Sequence, residues 1–275
     1  MSCEVPLAGV GIFRRRTGSV VAMMKTSTIP SPVLLAPSGT SDSAIHPRGL
    51  EMRRVSTSGD WQDVRLIRYQ ALRARGEIGE SDECGFGDEH DAALNSITLL
   101  LLRGGQAVAS TRSSVSSTSR RWRLPATEIF RREIETSIGF DATIVEASLT
   151  AVDPACGIDP KVALFHLLKA HMLRCASENA DWLITAVREP QIGFYRRMFN
   201  MEILSGAERW PGMAAPRVLM GLDYRGEAPL LFKRIPVLAV TDDDERDFAE
   251  SGVITFRDRR GASTPSRNAA LVAGD

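Results

Sequence analysis

The run Gly193-Phe194-Tyr195-Arg196-Arg197-Met198-Phe199-Asn200-Met201-Glu202-Ile203-Leu204 constrains the fold more than any other stretch of the chain. It takes a helix directly into a strand. Asn tolerates the left-handed backbone region better than most residues with a side chain, so Asn200 reads as the stop that closes the helix. Met201 and Ile203 then open an apolar strand. Tyr195 lies near the helix end, where its hydroxyl is able to reach across a sheet.

The rest of the chain alternates in the same way. Trp61 to Arg75 has apolar residues at Trp61, Val64, Ile67 (or Leu66), Ala71 and Leu72, a helical spacing. A polar loop follows from Gly76 to Gly87. Ser96–Leu102 and Ala107–Ser113 read as an antiparallel hairpin, with Gly104-Gly105 in its turn. Glu128–Ile138 reads as a helix, Ala142–Val152 as a strand, Lys161–Ser177 as an amphipathic helix and Trp182–Val187 as a buried strand. The Gln191–Phe199 helix precedes two strands, Met201–Leu204 and Val218–Asp223. The order α, β, β, α, β, α, β, α, β, β predicts an α/β (α+β) fold, a mixed central sheet with helices on both faces. Residues 1–47, rich in Ser, Thr, Pro and Gly, read as a flexible leader, with Met23 or Met24 as alternative starts. Residues 48–240 form the domain, and 241–275 read as a mostly flexible C-terminal extension.

Composition narrows the function. The 34 basic and 34 acidic residues cancel, whereas nucleic-acid binders usually carry a basic excess. Cys3, Cys84, Cys156 and Cys175 form no CxxC pair, which suits reduced thiols in a cytoplasmic protein. His166 and His171 are five apart, not the four that put two ligands on one helix face, so no metal site is expected. No apolar run approaches the roughly 18 residues of a membrane span.

Five segments carry the chemistry in order. They are Ile67-Arg68-Tyr69-Gln70-Ala71-Leu72, Gly87-Asp88-Glu89-His90-Asp91, Ala109-Ser110-Thr111-Arg112, Ile144-Val145-Glu146-Ala147-Ser148-Leu149-Thr150-Ala151-Val152, and the Phe194-Tyr195 helix. Together, over about residues 60–224, they resemble the GNAT acyltransferases, in the branch of acyl-homoserine-lactone synthases and FeeM-type N-acyl amino acid synthases. The resemblance implies a GNAT-like fold and transfer of an acyl chain from acyl carrier protein (or CoA) to the amine of an amino acid or similar small molecule. It implies no permanently bound cofactor. Carried over by position, Arg68 matches the Arg of the first-helix motif, Asp88 and Asp91 the paired acids of D-x-x-D, Arg112 the Arg ending the next strand, and Glu146 the Glu of E-x-S-R, whose Ser is Ser148. Leu149 stands where that segment usually has Arg, and Leu72 where the first-helix motif usually has an aromatic residue.

The chemistry asks for the same residue types. Amide formation from a thioester needs a neutral amine, hence a carboxylate to take a proton. It needs donors for the developing oxyanion, which unpaired N–H groups on a splayed strand supply, and a proton for the departing thiolate. Glu146, alone in an apolar strand, and Tyr195 are the catalytic candidates; Arg68, Asp88, Asp91, Arg112 and Ser148 are the substrate-binding candidates. A carboxylate in an apolar strand needs a partner, and Arg112 or Arg68 is the first expected. The same residues also fit an ion-pair brace between helix and sheet, and Tyr195 also fits a core aromatic. Cys156 reads as a bystander thiol.

Acetyl-CoA-dependent GNAT enzymes usually carry a Gly-rich pyrophosphate loop before the central helix. Here the junction reads Asp153-Pro154-Ala155-Cys156-Gly157-Ile158-Asp159-Pro160-Lys161. Its two carboxylates oppose pyrophosphate and favour an arm delivered by a carrier protein. Carrier proteins are acidic, so a basic landing patch is expected from Lys161, Lys169 and Arg174, or from Arg188, Arg196 and Arg197. Three readings stand: N-acyltransferase, catalytically weak acyl-ligand or carrier-protein binder, and acetyl-CoA-dependent acetyltransferase.

Overall fold

The computed structural model describes residues 49–80 and 84–256. The expected leader over 1–47 lies outside the described residues. The chain starts with strand β1 (Leu50–Arg54) and helix α1 (Ser58–Ala74), followed by a short 3-10 turn at Glu89–Ala92. The hairpin β2 (Ser96–Arg103) and β3 (Gln106–Ser116) leads through a second 3-10 turn, Pro125–Glu128, to α2 (Arg131–Ser137) and β4 (Ile144–Val152). Next come α3 (Pro160–Ser177), β5 (Trp182–Val187), α4 (Glu189–Phe199), β6 (Glu202–Glu208) and β7 (Arg217–Asp223). The described chain ends with α5 (Tyr224–Arg234), α6 (Asp242–Ser251) and β8 (Val253–Thr255).

All eight strands form one sheet in the order β6-β7-β5-β4-β3-β2-β1-β8. Strands β4 and β5 run parallel; every other neighbouring pair is antiparallel. Helices cover both faces. On one, Val64, Ile67 and Ala71 of α1 pack on Leu100, Leu102 and Ala151, and Phe130 and Ile134 pack on Ile144, Ile184 and Leu219. On the other, Leu167, Met172 and Phe199 pack against Leu99, Val145, Leu183 and Met220. This is the mixed sheet with helices on both faces that the alternation predicts.

Two backbone features position the site. The β4–β5 ladder stops at Ala147↔Thr185, so the strands part beyond it. Just there β4 carries a bulge: Ser110 pairs with Ala151 and Arg112 with Ser148, leaving two residues of β4 opposite one of β3. Leu149 absorbs the extra residue at φ 49, a left-handed conformation that costs a residue with a Cβ roughly 1–2 kcal/mol. Side-chain alternation shifts with it, so that Ser148 and Ala151 both face the α1 side.

Asn200 closes α4 in the left-handed region at φ 55, ψ 28. The helix expected over Glu128–Ile138 begins later, at Arg131, behind a 3-10 turn. Within the 241–275 extension the structure adds α6 and β8, the latter pairing with β1, so ordered chain continues past residue 240. Residues 257–275 lie outside the described residues.

Candidate active site

Helix α1 starts at a capping box between Thr57 and Asp60, which fixes its register and turns Arg68 toward the sheet. The loop before β2 is held the same way. The Asp88 carboxylate accepts from the His90 N–H at 3.0 Å, and Asp91 accepts from the Asp88 N–H at 3.3 Å. Arg112 of β3 reaches into this loop. Its Nη2 donates to Asp88 Oδ2 at 3.0 Å and its Nη1 to Asp91 Oδ1 at 3.1 Å, while its Nε donates to Ser148 Oγ at 3.1 Å. Arg68 Nη1 donates to Asp91 Oδ2 at 2.7 Å. Both arginines are fully buried. The four charged candidates and Ser148 form one cluster, with acids and arginines alternating.

Burial works to raise the Asp88 carboxyl, but the hydrogen bond and charge of Arg112 outweigh it and hold the group below the usual carboxylate range. Burial lowers the Arg68 guanidinium, against the pull of Asp91. Arg68 Nε and Nη2 are buried without a hydrogen bond.

Glu146 departs from expectation. It pairs with neither Arg112 nor Arg68, because Arg112 already binds two aspartates and Ser148, and Arg68 binds Asp91. Its Oε2 instead accepts from the Ala126 backbone N–H, in the 3-10 turn, at 2.8 Å. Its Oε1 is buried with no hydrogen bond. Burial pushes the carboxyl up to about 8, with the Ala126 N–H and the Arg112 charge opposing that shift only in part.

A cavity of about 90 Å³ opens where β4 and β5 separate, lined by Asp88, Arg112, Glu146, Ser148, Leu149 and Tyr195 among others. Arg68 and Asp91 are not among its lining residues; they sit behind it as a brace. Leu72 and Leu149, the two departures from the motif pattern, both line it. Tyr195 is buried, and burial pushes its phenol up to about 12. Its hydroxyl makes no hydrogen bond among the described residues. A second, narrower cavity continues behind Ala147, Thr150, Thr185 and Tyr195 into an apolar lining of Leu168, Met172, Leu183 and Phe199.

The same cavity carries a charged group that the sequence reading missed. Helix α1 ends in a Schellman turn: Gly76 takes φ +66, its N–H bonds Arg73 O at 2.8 Å, and the Glu77 N–H bonds Leu72 O at 2.9 Å. The turn sends Glu77, read from the sequence as part of a polar loop, inward to 1% exposure. Three arginines converge on it. Arg75 Nε donates to Glu77 Oε1 at 2.6 Å, Arg217 pairs with Oε2, and Arg188 Nε lies 3.4 Å from Oε1. Arg75, Glu77 and Arg217 line the cavity. Arg217 and Glu77 are 140 residues apart, so no local spacing announces the group.

Other expectations resolve individually. Lys169 is buried and ion-paired with Asp244 at 3.1 Å, and Arg174 pairs with Glu178 at 2.9 Å, so neither offers an open basic patch. Lys161, Arg196 and Arg197 are exposed. Among the described residues, Glu89, His90 and Glu128 lie close enough to share a cation. Glu128 is already engaged, by His90 Nε2 at 2.7 Å and Arg123 at 3.1 Å.

The family described as N-acyl amino acid synthase FeeM matches residues 63–223, more than half of the chain. The chain belongs to this family. It is accordingly an acyltransferase of the FeeM and acyl-homoserine-lactone synthase type. The structure of FeeM from uncultured soil microbes superposes with a TM-score of 0.54 at 14% identity, covering 65% of this chain and 95% of that one. The acyl-homoserine-lactone synthase LasI gives 0.51 at 14% identity, covering 66% and 92%. BjaI, a CoA-dependent acyl-homoserine-lactone synthase solved with SAM and isopentyl-CoA, gives 0.50 at 16% identity, covering 68% and 90%. At these identities the likeness establishes the shared fold. No curated protein matches the sequence. No helix among the described residues is long and apolar enough to cross a membrane.

Proposed function

We propose that this chain transfers an acyl group from a thioester to the amine of an amino acid or similar small molecule. The observation that carries the reading is Glu146, a buried carboxyl with one oxygen left without a hydrogen bond, lining the cavity formed where β4 and β5 part. Its ionised form accepts the proton of the attacking amine while the amine nitrogen bonds the thioester carbon. The tetrahedral oxyanion faces backbone amides on the separated strand edges. Collapse breaks the carbon–sulfur bond and forms the amide, and the proton that Glu146 took from nitrogen goes to the departing sulfur. A carboxyl at about 8 is well matched to a thiol whose ordinary value is about 8.5, so Glu146 returns the proton with little penalty. A phenol at about 12 is a poor proton donor to that thiolate. Tyr195 therefore serves as a hydrogen-bond donor to sulfur. Asp88 and Arg112 shape the acceptor side, with Arg68 and Asp91 bracing them.

The donor reading follows from α3. Asp159 caps its N-terminus by accepting from the Lys161 N–H at 2.8 Å, and Pro160 has no N–H to offer. Little remains there to cradle a pyrophosphate, which favours acyl carrier protein as donor over CoA and disfavours an acetyl-CoA enzyme. Leu72 and Leu149 on the cavity wall favour the second reading, a catalytically weak acyl-ligand binder. Mass spectrometry of lipid extracts from cells expressing the chain separates the two. New N-acyl amino acids, absent with Glu146→Gln, are expected; soluble wild-type protein that yields none overturns the transferase reading.

A further inference from the structure

The cavity has two charged groups of unlike balance. Around Arg68 and Arg112 stand Asp88 and Asp91, and the charges cancel. Around Glu77 stand Arg75, Arg188 and Arg217, and among the described residues one carboxylate leaves a surplus of two positive charges. Two of those arginines line the same cavity as Glu146. Arg188 Nε is buried and makes no hydrogen bond, although Glu77 is near. Uncompensated positive charge at a partly buried site is costly until an anion arrives. Burial lowers the Arg217 guanidinium, and the charges of Arg188 and Arg75 lower it further, while Glu77 opposes them.

We propose that Arg75, Arg188 and Arg217, held in place by Glu77, form a subsite for the carboxylate of an amino-acid acceptor, leaving its amine to Glu146. The proposal rests on the acyl-transfer reading and sharpens it to acceptors that carry an anionic group. Guanidinium groups suit the task because they grip a carboxylate through paired N–H donors. Arg112 and Arg68 are poorly placed for it, since Arg112 is bonded to two aspartates and Ser148 and Arg68 does not line the cavity. A phosphate of the donor arm has the same anion chemistry. It would, however, sit a whole pantetheine arm away from the reacting carbonyl, whereas Arg75 and Arg217 share a cavity with Glu146.

Calorimetric titration with a product mimic tests the subsite without turnover. The probes are N-decanoylglycine and its methyl ester, on wild type, Arg75→Gln and Arg217→Gln. The wild type is expected to bind the acid at least about tenfold tighter than the ester. Both substitutions should erase that preference and leave ester binding unchanged. Arg75 sits at an exposed helix end, so its variant keeps the fold even if the Arg217 variant does not. Equal affinity for acid and ester in wild type, a preference that survives Arg75→Gln, or no binding of the acid overturns the proposal. Phosphopantetheine is the control probe. Binding that depends on Arg75 would assign the subsite to the donor phosphate and likewise overturn it. If the acid preference holds but no N-acyl amino acid forms in cells, the transfer reading falls and the subsite stands.

Discussion

Glu146 is held neutral by burial at pH values where an ordinary carboxyl is ionised, and this has a consequence for stability as well as for rate. Its carboxyl rises from 4.5 to about 8 on folding. Between those values the unfolded chain gives up the proton and the folded one keeps it, so the group's contribution falls as pH rises. The cost by pH 8 is on the order of a few kcal/mol. Glu146→Gln keeps an acceptor for the Ala126 N–H and removes the titration. The variant should match wild type in thermal melts near pH 4.5 and melt clearly higher at pH 8. Its acyl transfer should drop by roughly 100-fold or more, the usual worth of a positioned base. Wild-type kcat/KM should climb with pH toward 8 as the base form appears. Equal melting shifts at both pH values, or activity within about tenfold of wild type, would remove Glu146 from this role. Glu146 was legible in the sequence because a lone acid in an apolar strand is conspicuous. Its partner was not, since the Ala126 amide lies on a 3-10 turn that no short-range pattern announces. Arg188 stood out only as part of a basic patch, and its grouping with Arg75 and Arg217 around Glu77 was invisible for a related reason: the three come from the end of α1, the start of α4 and β7, and only the fold assembles them.

The elements that the sequence made legible are the ones whose periodicity runs long. Helices α1, α3 and α4 and strands β2 to β5 were all readable, and the left-handed stop at Asn200 fell where its chemistry placed it. Strand β1 has only five residues, three of them charged, and β8 has three residues. Such short pieces are strands only because the sheet edge offers them partners. Helix α5 holds Pro229 in its interior, which reads as a breaker until the surrounding packing is known. The bulge at Leu149 has no residue signature either, because Leu is a poor choice for φ > 0. Helix α3 supports a prediction at this scale. With its N-terminus taken by Asp159 and Pro160, and Asp153 accepting from the Ala155 N–H at 2.8 Å, the loop's own carboxylates occupy amides that would otherwise face a phosphate. Matched octanoyl thioesters should therefore react at least about tenfold more efficiently on acyl carrier protein than on CoA. Comparable kcat/KM for the two, measured by thiol release, would assign the chain to CoA donors.

At the scale of the whole molecule, α6 and β8 follow residue 240, and β8 extends the sheet beyond β1. Strand β8 pairs with β1 through Met52↔Ile254 and its neighbours, and Ile254 is buried in the main core. Helix α6 begins at a capping box between Thr241 and Asp244, and the same Asp244 meets Lys169 of α3 in a buried ion pair. Cutting the chain after residue 240 would remove one partner of that pair. Leaving a buried charge uncompensated in this way typically costs about 3–5 kcal/mol. The cut would also expose the β1 edge, a template for pairing with other chains. For a domain of this size each kcal/mol moves Tm by roughly 2–4 °C, so residues 1–240 should melt on the order of 10 °C below the full chain and aggregate on heating. The composition of 241–256 does not announce α6 and β8, because what orders them is contact with β1 and α3. If the 1–240 fragment melts with the full chain, α6 and β8 are dispensable and the domain boundary returns to residue 240.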